Sequence, residues 1–237
     1  MDIHLLSYGD HNYMSQKDIF FSTAVESGFF DKIIVYGPED MDRDFVIQFT
    51  SILRNAKGGG YWIWKPYFVR KVFETLPEGD VLIYCDVGCL INQNGKKRFE
   101  DYIELLSKSK TGSLAFELPH KEVEYTKQEV FNFFDSPSNI IHTNQLMATV
   151  FLLKKCDHSM LLVNKWFETL CTFPEAFIDD HDPVIKNEEF IDARHDQSVF
   201  SIIRKWYGSE IIPDETYFND FVRDGENYPF WATRLKR

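Results

Sequence analysis

The sequence predicts an α/β fold: a mostly parallel central sheet with helices on both faces. Three observations predict it. Through the first half, apolar stretches of strand length alternate with stretches whose apolar residues recur at helical spacing. One stretch, residues 81–85 (Val-Leu-Ile-Tyr-Cys), is continuously apolar, as a central strand covered on both faces must be. The chain has 237 residues, 44% of them hydrophobic and 27% charged, which suits one domain with a large core and excludes a disordered chain.

Residues 2–6 read as the first strand, followed by a polar break over residues 7–12. A helix is expected from about Ser15, with Ser15 and Asp18 resembling a capping box and Gly28 at the C′ position. Residues 33–36 form the second strand, closed by Gly37-Pro38, and Phe45, Phe49, Ile52 and Leu53 mark a helix. The run Gly58-Gly59-Gly60 then reads as a flexible link or a weak phosphate cradle, leading into a short extended segment with Trp62 and Trp64 on one face. Pro66 suits the first turn of a helix that carries Val69, Val72, Phe73 and Leu76 at i, i+3, i+4 and i+7. The strand at 81–85 follows, then a helix marked by Phe99, Tyr102, Ile103 and Leu106, and a strand at 113–118.

The second half is less regular. A strand is expected at 148–153, a helix capped by Asp157 and carrying Leu162, Val163, Trp166, Phe167 and Leu170, and an acidic loop at 179–189. Val199, Ile202, Ile203 and Trp206 define the last clear helix, and the segment from Tyr217 onward is polar and aromatic without periodicity. There is no internal repeat, so a single domain over residues 1–237 is expected.

Composition narrows the function. With 26 Lys+Arg against 37 Asp+Glu the net charge is −11, which argues against a general nucleic-acid binder. The aromatic share is 16%, with 22 Phe, 11 Tyr and 5 Trp, so either a Phe-rich core or stacking surfaces for flat ligands absorbs the excess. No basic leader precedes an apolar stretch, and no apolar run approaches the ~18 residues of a membrane span, so a cytoplasmic protein is expected. The four cysteines form no CxxC pair and read as free thiols. Cys85 and Cys89 are expected on one strand, too far apart along it to bridge.

In parallel sheets ligands bind outside the carboxyl ends of the strands, which selects residues 7–12, 86–92 and the segment after 113–118. Asp86 directly follows five apolar residues. A carboxylate there needs a cation, a ribose hydroxyl, or the N–H groups of Gly88 or Cys89. Lys65, beside a helix N-terminus, concentrates positive potential where a phosphate would bind. Arg194-His195-Asp196-Gln197 opens the last helix. Asp196 is placed to be its N-cap, yet the four polar side chains also suit a sugar, with His195 as base or metal ligand. Glu117 at a strand end, and Asn144-Gln145 before the strand at 148–153, complete the polar candidates.

Gly60-Tyr61-Trp62-Ile63-Trp64-Lys65-Pro66 and the segment from Gly79 through Asp86-Val87-Gly88-Cys89 together resemble a nucleotide-sugar glycosyltransferase of the GT-A fold. The residues after the apolar strand stand where that superfamily has its DxD motif. Arg194-His195-Asp196-Gln197-Ser198 is similar to the HDQS-type motif of a subgroup from bacterial polysaccharide and large-virus glycan clusters. The resemblance spans residues 7–217, with Gly88 in place of the second aspartate.

It implies transfer of a sugar from a nucleoside-diphosphate sugar to a glycan acceptor. Residues 1–118 would hold the donor and 119–237 the acceptor, in a cytoplasmic enzyme (in the host cell, if viral). The implied donor contacts are Ser7, Tyr8, Trp62, Trp64, Lys65, Asp86, Val87 and Gly88. Asp196, His195 and Glu117 would carry catalysis, and Asn144, Gln145 and Arg194 the acceptor. A Mn²⁺ or Mg²⁺ ion would rest on Asp86 alone, which such ions tolerate when phosphates complete the shell, with Lys65 sharing the charge. Two rivals are a nucleotidyltransferase, whose glycine-rich loop after the first strand is reduced here to Gly9, and a non-catalytic glycan-binding module.

Overall fold

The computed structural model describes residues 1–180 and 187–235, so residues 181–186 of the expected acidic loop lie outside the described residues. In order, the first half contains β1 Ile3–Tyr8, α1 Met14–Ser27, β2 Lys32–Tyr36, α2 Arg43–Gln48, α3 Thr50–Leu53, α4 Gly58–Tyr61, α5 Trp64–Phe73, β3 Val81–Cys85, β4 Leu90–Ile91, α6 Lys96–Lys108 and β5 Ser113–Lys121. The second half adds α7 Glu122–Tyr125, α8 Gln128–Phe133, α9 Ser138–Ile141, β6 Asn144–Lys154, α10 Asp157–Thr172, α11 Asp196–Tyr207, β7 Glu210–Pro213 and β8 Phe230–Trp231.

Six strands form one sheet in the order β2-β1-β3-β6-β5-β7. β1 runs parallel to β2 and β3, and β5 runs parallel to β7. β6 alone is antiparallel, to β3 on one side and β5 on the other. The strand period of two sorts the core. Leu6, Tyr8, Leu82, Tyr84, Phe151 and Leu153 face an apolar cluster built with α5, α10 and α11. Leu5, Val81, Ile83, Cys85, Leu114 and Phe116 face a second cluster with α1 and α6. Both faces are therefore covered, which is why residues 81–85 read as one apolar run. The aromatic excess goes mainly into this core: Phe20, Phe68, Phe73, Phe116, Phe131, Phe151, Phe177 and Phe200 are all fully buried, and Trp166 stacks on Phe200 at 4.0 Å.

Several local expectations are corrected. β1 continues through Ser7 and Tyr8, so neither lies in a polar break. α1 has no side-chain cap; Asp10 instead accepts the Asn12 N–H of the preceding turn, while Gly28 does end the helix in the left-handed conformation. The helix expected through Phe49 breaks there into α2 and α3. Asn144 and Gln145 are the first residues of β6 rather than a loop before it. Cys156, not Asp157, holds the N-cap position of α10. β3 ends at Cys85, and a turn closed by the Cys89 N–H to Asp86 O bond (2.9 Å) folds the Cys89 thiol back against Cys85.

The segment after Tyr217, which carries no periodicity, is ordered by partners far away in the chain. β8 pairs antiparallel with β4. Buried Asn92 donates from Nδ2 to the carbonyls of Glu226 (2.7 Å) and Tyr228 (3.0 Å), and its N–H reaches Pro229 O at 2.8 Å. This lays residues 230–235 alongside the turn that carries Asp86.

Candidate active site

The turn after β3 places Asp86 at the carboxyl edge of the sheet, where its N–H bonds Thr149 O (2.9 Å) of β6. α5 and α11 bring one residue each to the same point. Lys65, in the first turn of α5 rather than before it, sets its ammonium 3.1 Å from Asp86 Oδ1, 3.0 Å from Asp196 Oδ2 and 3.1 Å from the Ala148 carbonyl. Three acceptors thus face a group with three N–H donors. Tyr84 Oη donates to Asp86 Oδ1 (2.7 Å), and its ring lies 4.9 Å from the ammonium.

Exposure divides the roles. The side chains of Lys65 and Asp196 are 3% and 6% exposed, whereas that of Asp86 is 31% exposed. Burial pushes the Asp196 carboxyl up to about 6 against the pull of Lys65, with Asp86 adding to the rise. Burial pulls the Lys65 ammonium down, but Asp196 and Asp86 outweigh it and hold its pKa above the ordinary value. The cluster is therefore a buried cation shared by two carboxylates, of which only Asp86 meets solvent.

Asp196 is the first residue of α11 and not its N-cap, correcting that expectation; His195 holds the cap position without a capping side-chain bond. His195 has φ +51°, a left-handed backbone that a β-carbon makes strained. Its Nδ1–H donates to Phe177 O (2.8 Å), so the neutral ring turns Nε2 toward Asp179 Oδ1, 3.6 Å away. Burial brings its pKa down to about 4, and the ring stacks on Trp62 at 5.1 Å. A neutral, packed histidine is not placed as a cation here.

The glycine run folds into a tight turn of its own, α4. From Gly58 to Trp62 five consecutive residues have positive φ (59, 58, 95, 54 and 59°). Three of their amides bond locally, with Gly59 N–H on Ala56 O (3.3 Å), Tyr61 N–H on Lys57 O (2.7 Å) and Trp62 N–H on Gly58 O (3.2 Å). Glycine is required at 60, where a Cβ would come within 2.8 Å of Leu53 Cα. The turn ends by setting Trp64 flat on Tyr8 at 3.9 Å, its indole N–H on Gly58 O at 2.9 Å. Trp62 is therefore not on an extended segment with Trp64. Tyr8 and Trp64, each at most 6% exposed, offer each other the faces expected to take a base.

Other expected donor and acceptor residues are placed as follows. Ser7 is fully buried, with no bonding partner at its hydroxyl among the described residues. Val87 belongs to the apolar cluster under α1 and α6. Gly88 is covered by the chain itself: its carbonyl accepts from Leu235 N–H (3.0 Å) and Thr233 Oγ1 (2.9 Å). Gln145 is fully buried and accepts from Gln197 Nε2 (2.8 Å), while Gln197 Oε1 takes the Ala148 N–H (3.2 Å). Asn144 O accepts from Lys205 Nζ (2.5 Å). Glu117 lies on β5, paired with Leu146 of β6, and is not brought to the Lys65 cluster. Arg194 lies over the Tyr125 ring at 4.7 Å.

A divalent ion is poorly provided for at Asp86. One of its oxygens is engaged by Lys65 and Tyr84, the ammonium fills the space between the two carboxylates, and Gly88 offers no side chain. The residues present do not fit a metal centre held by the protein alone. Among the described residues, one group of three metal-capable side chains converges, with Asp2, His4 and Asp80 offering atoms within 4.8 Å of one another. It lies where β1 and β3 begin, at the opposite edge of the sheet. Both Asp80 oxygens are already engaged, by Asp2 N–H (2.8 Å) and His4 Nε2 (3.3 Å).

No protein-family model matches the sequence, and no curated protein matches it either. Solved structures do. The chain is similar to a glycosyltransferase involved in the glycosylation of the major capsid of PBCV-1, with TM-score 0.52 and 9% identity over 98% of this chain and 92% of that one. It is equally similar to the apo form of mouse xyloside xylosyltransferase 1, with TM-score 0.51 and 10% identity over 98% and 97% of the two chains. At such identities the likeness is one of fold, and the fold is GT-A, the architecture of nucleotide-sugar glycosyltransferases. Among the described residues no helix is long and apolar enough to cross a membrane.

Proposed function

We propose that the chain is a glycosyltransferase that moves a sugar from a nucleoside-diphosphate sugar to a hydroxyl of a glycan acceptor. The observation that carries this reading is the Lys65-centred pair of carboxylates at the carboxyl edge of a GT-A sheet, with Asp86 alone turned outward. Glycosyl transfer builds positive charge at the sugar and negative charge on the departing diphosphate. An outward carboxylate suits the first, or a donor hydroxyl, and it costs little reorganisation because Lys65 and Tyr84 already fix its position. Asp196, at about 6, sits in the range where a carboxyl exchanges protons near neutrality. Residues 1–118 supply Lys65 and Asp86 and residues 119–237 supply Asp196, so the cluster joins the donor half to the acceptor half.

The test is release of nucleoside diphosphate from a panel of nucleotide sugars, with and without added glycan. Wild-type protein is expected to hydrolyse one donor slowly alone and to transfer it faster with an acceptor. Asp196→Asn is expected to keep nucleotide affinity and to lose transfer by about 10²-fold or more, since an amide takes no proton. Full transfer in that variant would remove Asp196 from the chemistry, and no donor consumption by wild type would refute the reading itself.

A further inference from the structure

The stretch of β6 that serves the Lys65 cluster is out of step with β5. Ala115 pairs with Phe151 and Glu117 with Leu146, so Phe116 alone on β5 spans residues 147–150 on β6. Two carbonyls of this bulge hold the site: Ala148 O takes Lys65 Nζ (3.1 Å), and Thr149 O takes Asp86 N–H (2.9 Å). A bulge re-aims its strand, and the backbone groups it frees need other partners. α11 supplies them from one face, at i, i+4 and i+7. Gln197 Oε1 accepts Ala148 N–H (3.2 Å), and Ser201 Oγ accepts Leu146 N–H (2.7 Å). Arg204 Nη2 donates to Leu146 O (2.9 Å) and Met147 O (2.7 Å).

Both N–H contacts trace back to Glu122, the first residue of α7, a fully buried carboxylate paired with Lys205 Nζ at 2.7 Å. Its two oxygens start two arms. Oε1 accepts from Ser201 Oγ, which leaves the Ser201 oxygen to accept Leu146 N–H. Oε2 accepts from Thr126 Oγ1 (2.7 Å), whose oxygen accepts from Gln145 Nε2 (3.0 Å). Gln145 Oε1 then accepts from Gln197 Nε2 (2.8 Å), which leaves Gln197 Oε1 for Ala148 N–H. Each link dictates the next. A carboxylate only accepts, a hydroxyl has one proton to give, and a Gln197 amide turned the other way would set N–H against N–H at Ala148. Thr126, Gln145 and Ser201 are fully buried as well, so water does not replace a broken link.

We propose that Glu122 is a positioning residue of the active site. Its two arms set the hydrogen-bond direction that pins the β6 bulge, and the bulge holds Ala148 O on Lys65 and Thr149 O on Asp86. Glu122 reaches the cluster only through protein groups, so it acts on the geometry of Lys65 and Asp86 rather than on a ligand. The inference rests on the glycosyl-transfer reading only for its kinetic consequence.

The experiment compares wild type with Glu122→Gln, Thr126→Val and the double variant Glu122→Gln/Gln145→Glu. Hydrogen exchange of the Leu146 and Ala148 amides, resolved by NMR, reads the bulge, and donor consumption reads kcat and KM. Glu122→Gln disturbs both arms and is expected to speed exchange at both amides about tenfold or more, with β1 and β2 exchanging as in wild type. Its kcat is expected to fall about tenfold to 10²-fold with the donor KM within about twofold, as for a misplaced reacting group. Thr126→Val cuts only the longer arm, so Ala148 is expected to speed up more than Leu146, a split that general destabilisation would not produce. The double variant moves the carboxylate along the arm, again turns only acceptors toward Gln197, and is expected to recover part of kcat. If either Glu122 variant does not fold, Thr126→Val decides. Wild-type exchange at Ala148 in folded Glu122→Gln or Thr126→Val, or a folded double variant that recovers nothing, overturns the proposal. If wild type consumes no donor, the transferase reading falls and the exchange measurements alone decide the role of Glu122.

Discussion

Replacing Lys65 by methionine removes a buried cation and leaves its two carboxylates behind. Asp196 is 6% exposed and Lys65 3%, so water does not take over the lost interaction. Breaking a buried pair by deleting one partner costs about 3–5 kcal/mol. The loss should depend on pH through Asp196. Its folded pKa of about 6 lies above the unfolded one, so the native state keeps a proton that the unfolded chain has released. Native stability therefore falls as pH rises from the ordinary carboxylate range to about 6, and is flat above. Without Lys65, which pulls that pKa down, the window extends upward, adding about 1.4 kcal/mol per unit of further rise. Urea denaturation followed by tryptophan fluorescence, at acidic and mildly alkaline pH, reads the difference. Lys65→Met should be about 3–5 kcal/mol less stable at the higher pH and visibly closer to wild type at the lower. The double variant Lys65→Met/Asp196→Asn should regain part of the loss. An equal loss at both pH values, or one under about 1 kcal/mol, would refute the view that Lys65 holds Asp196 charged.

Two further predictions concern the frame around the site. Gly60→Ala places a Cβ 2.8 Å from Leu53 Cα at φ +95° and is expected to destabilise the fold by about 2 kcal/mol or more, measured by denaturation. Asn92→Ala deletes the two short bonds from Nδ2 to the carbonyls of Glu226 and Tyr228, so residues 225–235 should become susceptible to limited proteolysis before the rest of the chain. Cleavage at the wild-type rate would show that β8 alone docks that segment.

Much of the fold was legible because the two periods, two for strands and 3.6 for helices, are written in apolar residues that end up in the two core clusters. Direction is not written that way. An apolar strand looks the same whichever way it runs, and so β6 reads no differently from its parallel neighbours. Lys65, Asp86 and Asp196 were each visible as polar residues against apolar elements, and they meet at 3.0 to 3.1 Å. What that local view missed is that Lys65 is enclosed, its donors turned to protein acceptors rather than outward. The turn at Gly58 to Trp62 was misread because Tyr61 and Trp62 adopt a conformation their side chains disfavour, imposed by packing from Leu53 and His195. β8 and the residues just after it had no local signal at all, since bonding to Gly88 and pairing with Leu90 and Ile91 define them.

The antiparallel insertion of β6 bears on how the chain is made. While the polypeptide grows, β2, β1 and β3 can already associate, but the outer edge of β3 stays unpaired until Asn144–Lys154 emerges. That edge is Val81–Cys85, five residues that are all buried in the finished protein. At ~5–20 residues per second the ~60 residues between the two strands take about 3–12 s to synthesise. For that interval the nascent chain presents an apolar, uncharged strand edge, the kind that recruits another chain of its own sort. A folding helper that shields β3 over that interval would act before Asp196 exists to complete the site.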